Sequence, residues 1–202
     1  KLVSGECVGT LVVTEGLLAP TENNIQINVS NNQISGIKIA VPDAGIATHV
    51  VVVCKGENGI ELRLVELNEA TCNIQAQDNI DESRGHFSID FNNAESDLIG
   101  EAGNGWELLQ SILNQAAVLF SFEQIGGAQA SLDMANNYAK ERFAFGRAIG
   151  SYQAIKHKLA DMYISITLAK SNSYYGAWAL LTDSSELAVA AATSRVSATE
   201  AF

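Results

Sequence analysis

The apolar residues of this chain change their period once, and that switch divides the fold in two. Up to about Phe91 they come in short runs broken by turn residues. Val8 to Val13, Ile25 to Val29, Ile34 to Val41, His49 to Cys54 and Ile60 to Leu67 read as strands, and Cys72 to Gln77 and His86 to Phe91 add two more. Asn31-Asn32, Gly56-Glu57-Asn58-Gly59 and Asp81-Glu82-Ser83 supply turn chemistry between them. Strands this closely spaced predict an antiparallel β-barrel or sandwich domain.

From about Gly105 the spacing becomes helical. Trp106, Leu109, Leu113, Ala116 and Phe120 recur on one face, followed by Ile125, Ala128, Leu132 and Ala135, and the pattern runs to Phe143. Gly126-Gly127 inside it costs about 1 kcal/mol per glycine relative to alanine, so the pair predicts a close neighbour there. A second helix fits Tyr152 to Leu181. Asp183-Ser184-Ser185-Glu186 then reads as a cap for a third, still running at Phe202. The expected class is therefore α+β, a β domain followed by long antiparallel helices of a four-helix-bundle type. The helix at the end and a start at Lys1 suggest a piece of a longer polypeptide, because helices of this length need neighbours along their faces.

Composition limits the function. The chain has 202 residues, 47% of them hydrophobic and 17% charged, enough for a large buried core. A net charge of -11 argues against a nucleic-acid backbone as partner, while leaving room for one local basic pocket. No apolar run reaches the length of a membrane span and no signal pattern opens the chain, which predicts a cytoplasmic protein. Cys7, Cys54 and Cys72 lie far apart without metal-ligand spacing, and His49, His86 and His157 are scattered, so no metal site is expected.

Arg142, Phe145, Gly146 and Gln153 crowd the turn between the first two helices. A cation, an aromatic ring, a flexible backbone and an amide suit the phosphates and base of a nucleotide. On spacing alone, Arg142 could equally pair with a nearby acid and Phe145 could be core.

Four stretches, Leu98 to Gly105, Gly126 to Asp133, Tyr138 to Gly146 and Gln153 to Met162, resemble the acyl-CoA dehydrogenase family. Thr14-Glu15 resembles the start of the family's Thr-Glu-Pro loop, and Arg195 to Phe202 the helix before a later flavin-contacting segment. The resemblance covers nearly the whole chain and is most specific in the helices. It implies that residues 1–103 are the middle β domain and residues 104–202 an incomplete C-terminal helical domain, with the N-terminal helical domain absent. It further implies FAD at a subunit interface of a tetramer, and oxidation of an acyl-CoA thioester to the 2,3-enoyl-CoA. Fatty acids and steroid side chains are the substrate classes it brings. Arg142 would reach a neighbour's FAD pyrophosphate, with Phe145, Ile149 and Gln153 beside it. Thr14 would offer its hydroxyl to the flavin ring.

The departures fall around the flavin ring and the acyl group. Gly16 replaces the loop's proline and Pro20 a serine, and proline offers neither hydroxyl nor N–H. In the family's Lys-x-Trp-Ile-Thr strand, Lys38-Ile39-Ala40-Val41-Pro42 puts Ala40 in place of the ring and Pro42 in place of the hydroxyl. Where some members carry the catalytic glutamate stands Ala116, beside Ala117 and Asn114, and Glu123 lies about two turns on. No catalytic residue is therefore assigned in this chain. Three functions stay open: a dehydrogenase, a catalytically silent subunit that serves a partner's FAD in a homo- or hetero-oligomer, and a flavin-free scaffold. An acyl-CoA oxidase is a variant of the first.

Overall fold

The computed structural model describes residues 1–81 and 83–202. Eight strands precede three long helices. They are β1 (Gly9–Val12), β2 (Asn28–Ser30), β3 (Gln33–Pro42), β4 (His49–Gly56), β5 (Gly59–Glu66), β6 (Cys72–Gln77), β7 (His86–Glu95) and β8 (Asp97–Ile99). Then come α1 (Gly105–Glu141), the short strands β9 (Phe143–Ala144) and β10 (Arg147–Ala148), a 3₁₀ turn (Ile149–Ser151), α2 (Gln153–Leu181) and α3 (Leu187–Ala201). The mixed α+β class expected from the period switch is the observed one. The chain divides into two compact units, 1–109 and 110–202, with the boundary inside α1.

In the first unit the strands make one open sheet in the order β6-β7-β3-β2-β4-β5-β8, with β1 added beside β4. It is not a closed barrel. Most neighbours are antiparallel, as expected, but two are not. β1 lies parallel to β4 from His49 to Val52, and β2 meets β4 in parallel at Lys55. The two short strands thus share one edge of β4 in succession, and residues 13–27 leave that edge and return to it. The excursion also explains why the expected strand from Ile25 forms only at Asn28: Ile25 is buried, but in the returning loop.

The turns follow their sequence. Asn31 and Asn32 take φ 52° and 61° between paired Ser30 and Gln33, a two-residue hairpin in the type I′ form that asparagine tolerates. Gly56 pairs with Gly59 across the next hairpin. Of the third predicted turn, Glu82 lies outside the described residues, while Asp81 Oδ1 accepts the Ser83 N–H at 3.0 Å.

β4 is buried on both faces, and its alternation separates two cores. Val50, Val52 and Cys54 point into one with Val12, Ile34, Val65, Ile89 and Phe91. Val53 joins the other with Ile25, Ile60, Leu62 and Leu109. The opening of α1 packs tightly on β5. A Cβ on Gly105 would stand 2.6 Å from the Glu61 Cα.

The second unit is a helical layer. Ile125, Ala128 and Leu132 of α1 meet Ile166 and Ala169 of α2 and Ala198 of α3. α2 and α3 approach through small side chains, with Ser173, Gly176 and Ala179 buried on one and Ala190, Ala191 and Ser194 on the other. Two boundaries shift from the sequence reading. α1 ends at Glu141, because Phe143 belongs to β9. The expected Asp-Ser-Ser-Glu cap forms no side-chain cap bond to α3, whose N-cap is Glu186; Ser184 Oγ instead accepts the Glu186 N–H at 3.2 Å. No helix among the described residues is long and apolar enough to cross a membrane.

Candidate cofactor-binding site

α1 stops where Arg142 leaves the helical path. Its N–H still donates to the Tyr138 carbonyl at 2.8 Å, while its own carbonyl accepts the Ile149 N–H at 2.8 Å. Between those two residues the chain makes a hairpin. Ala144 pairs with Arg147, so Phe145 and Gly146 form a two-residue loop. Their φ values, 53° and 80°, are those of a type I′ turn. Glycine takes this conformation freely, but a bulky aromatic residue does so only under strain.

Three contacts hold the hairpin. The Tyr152 hydroxyl donates to the Ala144 carbonyl at 3.0 Å. The Arg147 guanidinium lies 3.9 Å from the centre of the Tyr152 ring. The 3₁₀ turn presses on the end of α1 so closely that a Cβ on Gly150 would sit 2.8 Å from the Ala139 carbonyl oxygen. α2 starts directly after, at Gln153.

The hairpin therefore gathers Arg142, Phe145, Ile149 and Gln153 between the ends of two helices. Arg142 and Gln153 are exposed and Ile149 is half-buried. Phe145 is 96% exposed and so is not a core residue. Among the described residues, no carboxylate forms an ion pair with Arg142. Both local alternatives for the pair, an acid for Arg142 and a core for Phe145, are thus unmet among the described residues. What stands there is a cation, an apolar ring and an amide, able to bind an anionic, partly aromatic ligand.

Thr14, in the first unit, is half-buried at the start of the 13–27 excursion, and its carbonyl accepts the Ile39 N–H at 2.8 Å. Beyond Lys38 the strand is irregular. A register shift separates Lys38 from Val41, and Ala40 takes φ 52° with its N–H held by Gln77 Oε1 at 2.9 Å. Ala116, Ala117 and Asn114 are half-buried on α1, and Glu123 is exposed.

Sequence reasoning missed two features. One is the pair Arg147 and Tyr152, which hold the hairpin but carried no distinctive signal, both lying after the Phe145-Gly146 turn. The other is the ion pair between Lys38 Nζ and Glu15 Oε1 at 2.7 Å, with Lys38 fully buried. A separation of 23 residues gave no local sign of that pairing.

A family profile described as "Acyl-CoA dehydrogenase, C-terminal domain" matches residues 103–202. The chain is 48% identical over 60 residues to acyl-CoA dehydrogenase IpdE2 of Mycobacterium tuberculosis, a match covering 30% of this chain and 19% of that protein. It is 27% identical over 191 residues to an acyl-CoA dehydrogenase of Bacillus subtilis, covering 88% of this chain and 50% of the relative. Among solved structures, butyryl-CoA dehydrogenase from Megasphaera elsdenii shares the fold with a TM-score of 0.89 at 23% identity, over 99% of this chain and 56% of that one. The chain spans about half the length of the relatives it matches end to end. Helix spacing, the hairpin between α1 and α2, and these matches agree: the chain belongs to the acyl-CoA dehydrogenase family.

Proposed function

We propose that the polypeptide carrying this chain is a flavoprotein that oxidises an acyl-CoA thioester to its 2,3-enoyl-CoA. Residues 1–103 act as its middle β domain and residues 104–202 as part of its helical domain. In this reading the protein works as a tetramer in the cytoplasm. When bound, FAD supplies the two-electron acceptor for hydride from the substrate's β carbon. The Arg142 guanidinium donates charge-assisted hydrogen bonds to the diphosphate of a neighbouring subunit's FAD, each worth about 1.5–3 kcal/mol. The Phe145 ring and Ile149 cover apolar surface of that neighbouring cofactor and Gln153 adds a polar contact, while Thr14 offers its hydroxyl to the ring of the subunit's own flavin. The residue that removes the α proton is not assigned within 1–202, since position 116 carries only a methyl group.

One observation carries the reading: a guanidinium with no ion pair among the described residues shares the hairpin with a strained, 96% exposed phenylalanine at its tip. A strained conformation that buries almost nothing against the described residues points to a ligand.

A second reading has its own support. Ala40 and Pro42 leave the β3 side without the ring and the hydroxyl that would serve this subunit's own flavin. A silent subunit of a heteromeric dehydrogenase, lending Arg142 and Phe145 to a partner's FAD, fits that asymmetry.

The visible spectrum of the full-length protein separates the two. Full flavin occupancy of the protein purified alone supports the first reading. Flavin that appears only on co-expression with a second dehydrogenase chain supports the second. In either case Arg142→Ala is expected to strip the flavin, and a flavin content unchanged by that substitution defeats both.

A further inference from the structure

Residues 13–27 depart from one edge of β4 and rejoin it a few positions along, which makes them an Ω-loop with a narrow neck. Leu17 and Leu18 at its tip are exposed. A surface excursion of this length is ordinarily among the first parts of a domain to open.

Its neck is tied by a single cation. Lys38 on β3 is fully buried, and its Nζ donates to the Val13 carbonyl at 2.9 Å and to Glu15 Oε1 at 2.7 Å. Glu15 then reaches across to the returning limb. Its Oε2 accepts the Gln26 N–H at 2.7 Å and its Oε1 the Ile27 N–H at 3.3 Å. One carboxylate thus joins the outgoing limb, the returning limb and the sheet.

Thr14 lies between the two residues that Lys38 grips, and its own carbonyl is held by Ile39. The backbone carbonyls of Val13 and Thr14 and the carboxylate of Glu15 are therefore held by two successive residues of β3. With the backbone held, the Cα–Cβ direction of Thr14 is set, and its β-branched side chain is left with a restricted choice of χ1. Burial lowers the affinity of Lys38 for its proton, and the Glu15 contact opposes that loss. Removing either partner leaves a buried charge without compensation.

We propose that Glu15 and Lys38 are positioning residues, a lock at the loop neck that sets where the Thr14 hydroxyl stands for a flavin ring. The part concerning Thr14 rests on the flavoprotein reading above, whereas the lock itself does not.

The test has two arms, each on the full-length protein as wild type, Lys38→Met and Glu15→Gln, the last a milder change should Lys38→Met fold poorly. In hydrogen exchange, both variants are expected to speed the Gln26 and Ile27 amides by about tenfold or more, while the Leu62 and Val65 amides of β5 keep their rates. Unchanged Gln26 and Ile27 amides overturn the lock. In FAD titration followed by visible absorbance, the variants are expected to weaken binding by about tenfold and shift the flavin band, with little further effect when Thr14→Val is added. An unshifted band, or effects of Thr14→Val and Lys38→Met that simply add, overturns the positioning of Thr14. Failure of the wild type, alone or with a partner chain, to take up FAD defeats the flavoprotein reading instead, and the exchange arm still decides the lock.

Discussion

The Tyr152 hydroxyl reaches back over the α1–α2 hairpin and donates to the Ala144 carbonyl at 3.0 Å, one residue before the strained Phe145. The bond ties the residue that caps the start of α2 to the hairpin's outgoing strand. Tyr152→Phe keeps the ring under the Arg147 guanidinium and removes only this bond. It is expected to cost about 0.5–1.5 kcal/mol in urea unfolding. Arg147→Ala loses the ring contact at 3.9 Å and should cost about 0.5–1 kcal/mol. An unfolding midpoint that neither substitution moves would show that these contacts do not hold the turn.

Phe145 offers a way to separate stability from binding. Its left-handed backbone costs about 1–2 kcal/mol for a residue with a Cβ, and its ring buries almost nothing in the chain. Phe145→Gly is expected to stabilise the folded protein, by less than that full amount because glycine also loosens the unfolded state. The same variant should retain less flavin after gel filtration. A gain in stability with flavin retained in full would mean that the ring does not touch the cofactor.

How far the sequence shows this structure depends on the range of the interactions. The helices were legible because Ile125, Ala128 and Leu132 mark one face at short spacing, and these residues are buried. Both I′ turns have sequence signals, Asn31-Asn32 in one and Gly146 in the other. The parallel placement of β1 and β2 on β4 was not legible, since strand alternation carries no direction. The Glu15–Lys38 pair was hidden for a related reason, because only the folded sheet brings a loop residue and a strand residue 23 positions apart into contact. Of the candidate site, the segment from Arg142 to Gln153 stood out by density of residue types. The clamp by Tyr152 did not, because a tyrosine ahead of a helix reads equally as core.

Two glycines of the helical unit predict opposite outcomes for one substitution. Gly126 is exposed on α1, and a Cβ there would meet nothing within 4 Å. Gly126→Ala should therefore stabilise the protein by about 0.5–1 kcal/mol through helix propensity. Gly176 is buried on α2, where a Cβ would collide with Ser194 Oγ and come within 3.2 Å of Val118 Cγ2. Ser194 cannot yield easily, since its hydroxyl already donates to the Asn172 and Ala190 carbonyls at 2.9 and 2.7 Å. Gly176→Ala is expected to destabilise by about 1–3 kcal/mol. Thermal unfolding of the two variants, measured side by side, checks the contrast, and equal shifts would contradict the close α2–α3 approach.

Cys54 sets an alkaline limit on the β unit. Its thiol is fully buried on β4, and burial, reinforced by the Glu61 carboxylate nearby, pushes its pKa from 9.0 up to about 12. In the unfolded chain the same thiol titrates near its ordinary value. Between those two pH values the folded state binds a proton that the unfolded state has released. Linkage then makes stability fall as pH rises, so the contribution of Cys54 is complete below about pH 9 and is lost progressively toward 12. Cys54→Ala removes the titrating group. It should lower stability at pH 8 through the cavity it leaves, yet show a shallower decline across the alkaline window. Urea midpoints for both proteins at pH 8, 9, 10 and 11 give the comparison. Parallel declines would place the alkaline sensitivity elsewhere. The thiol should also resist alkylation at pH 8 in native protein and react at once on unfolding, because the thiolate is the nucleophile and burial suppresses it.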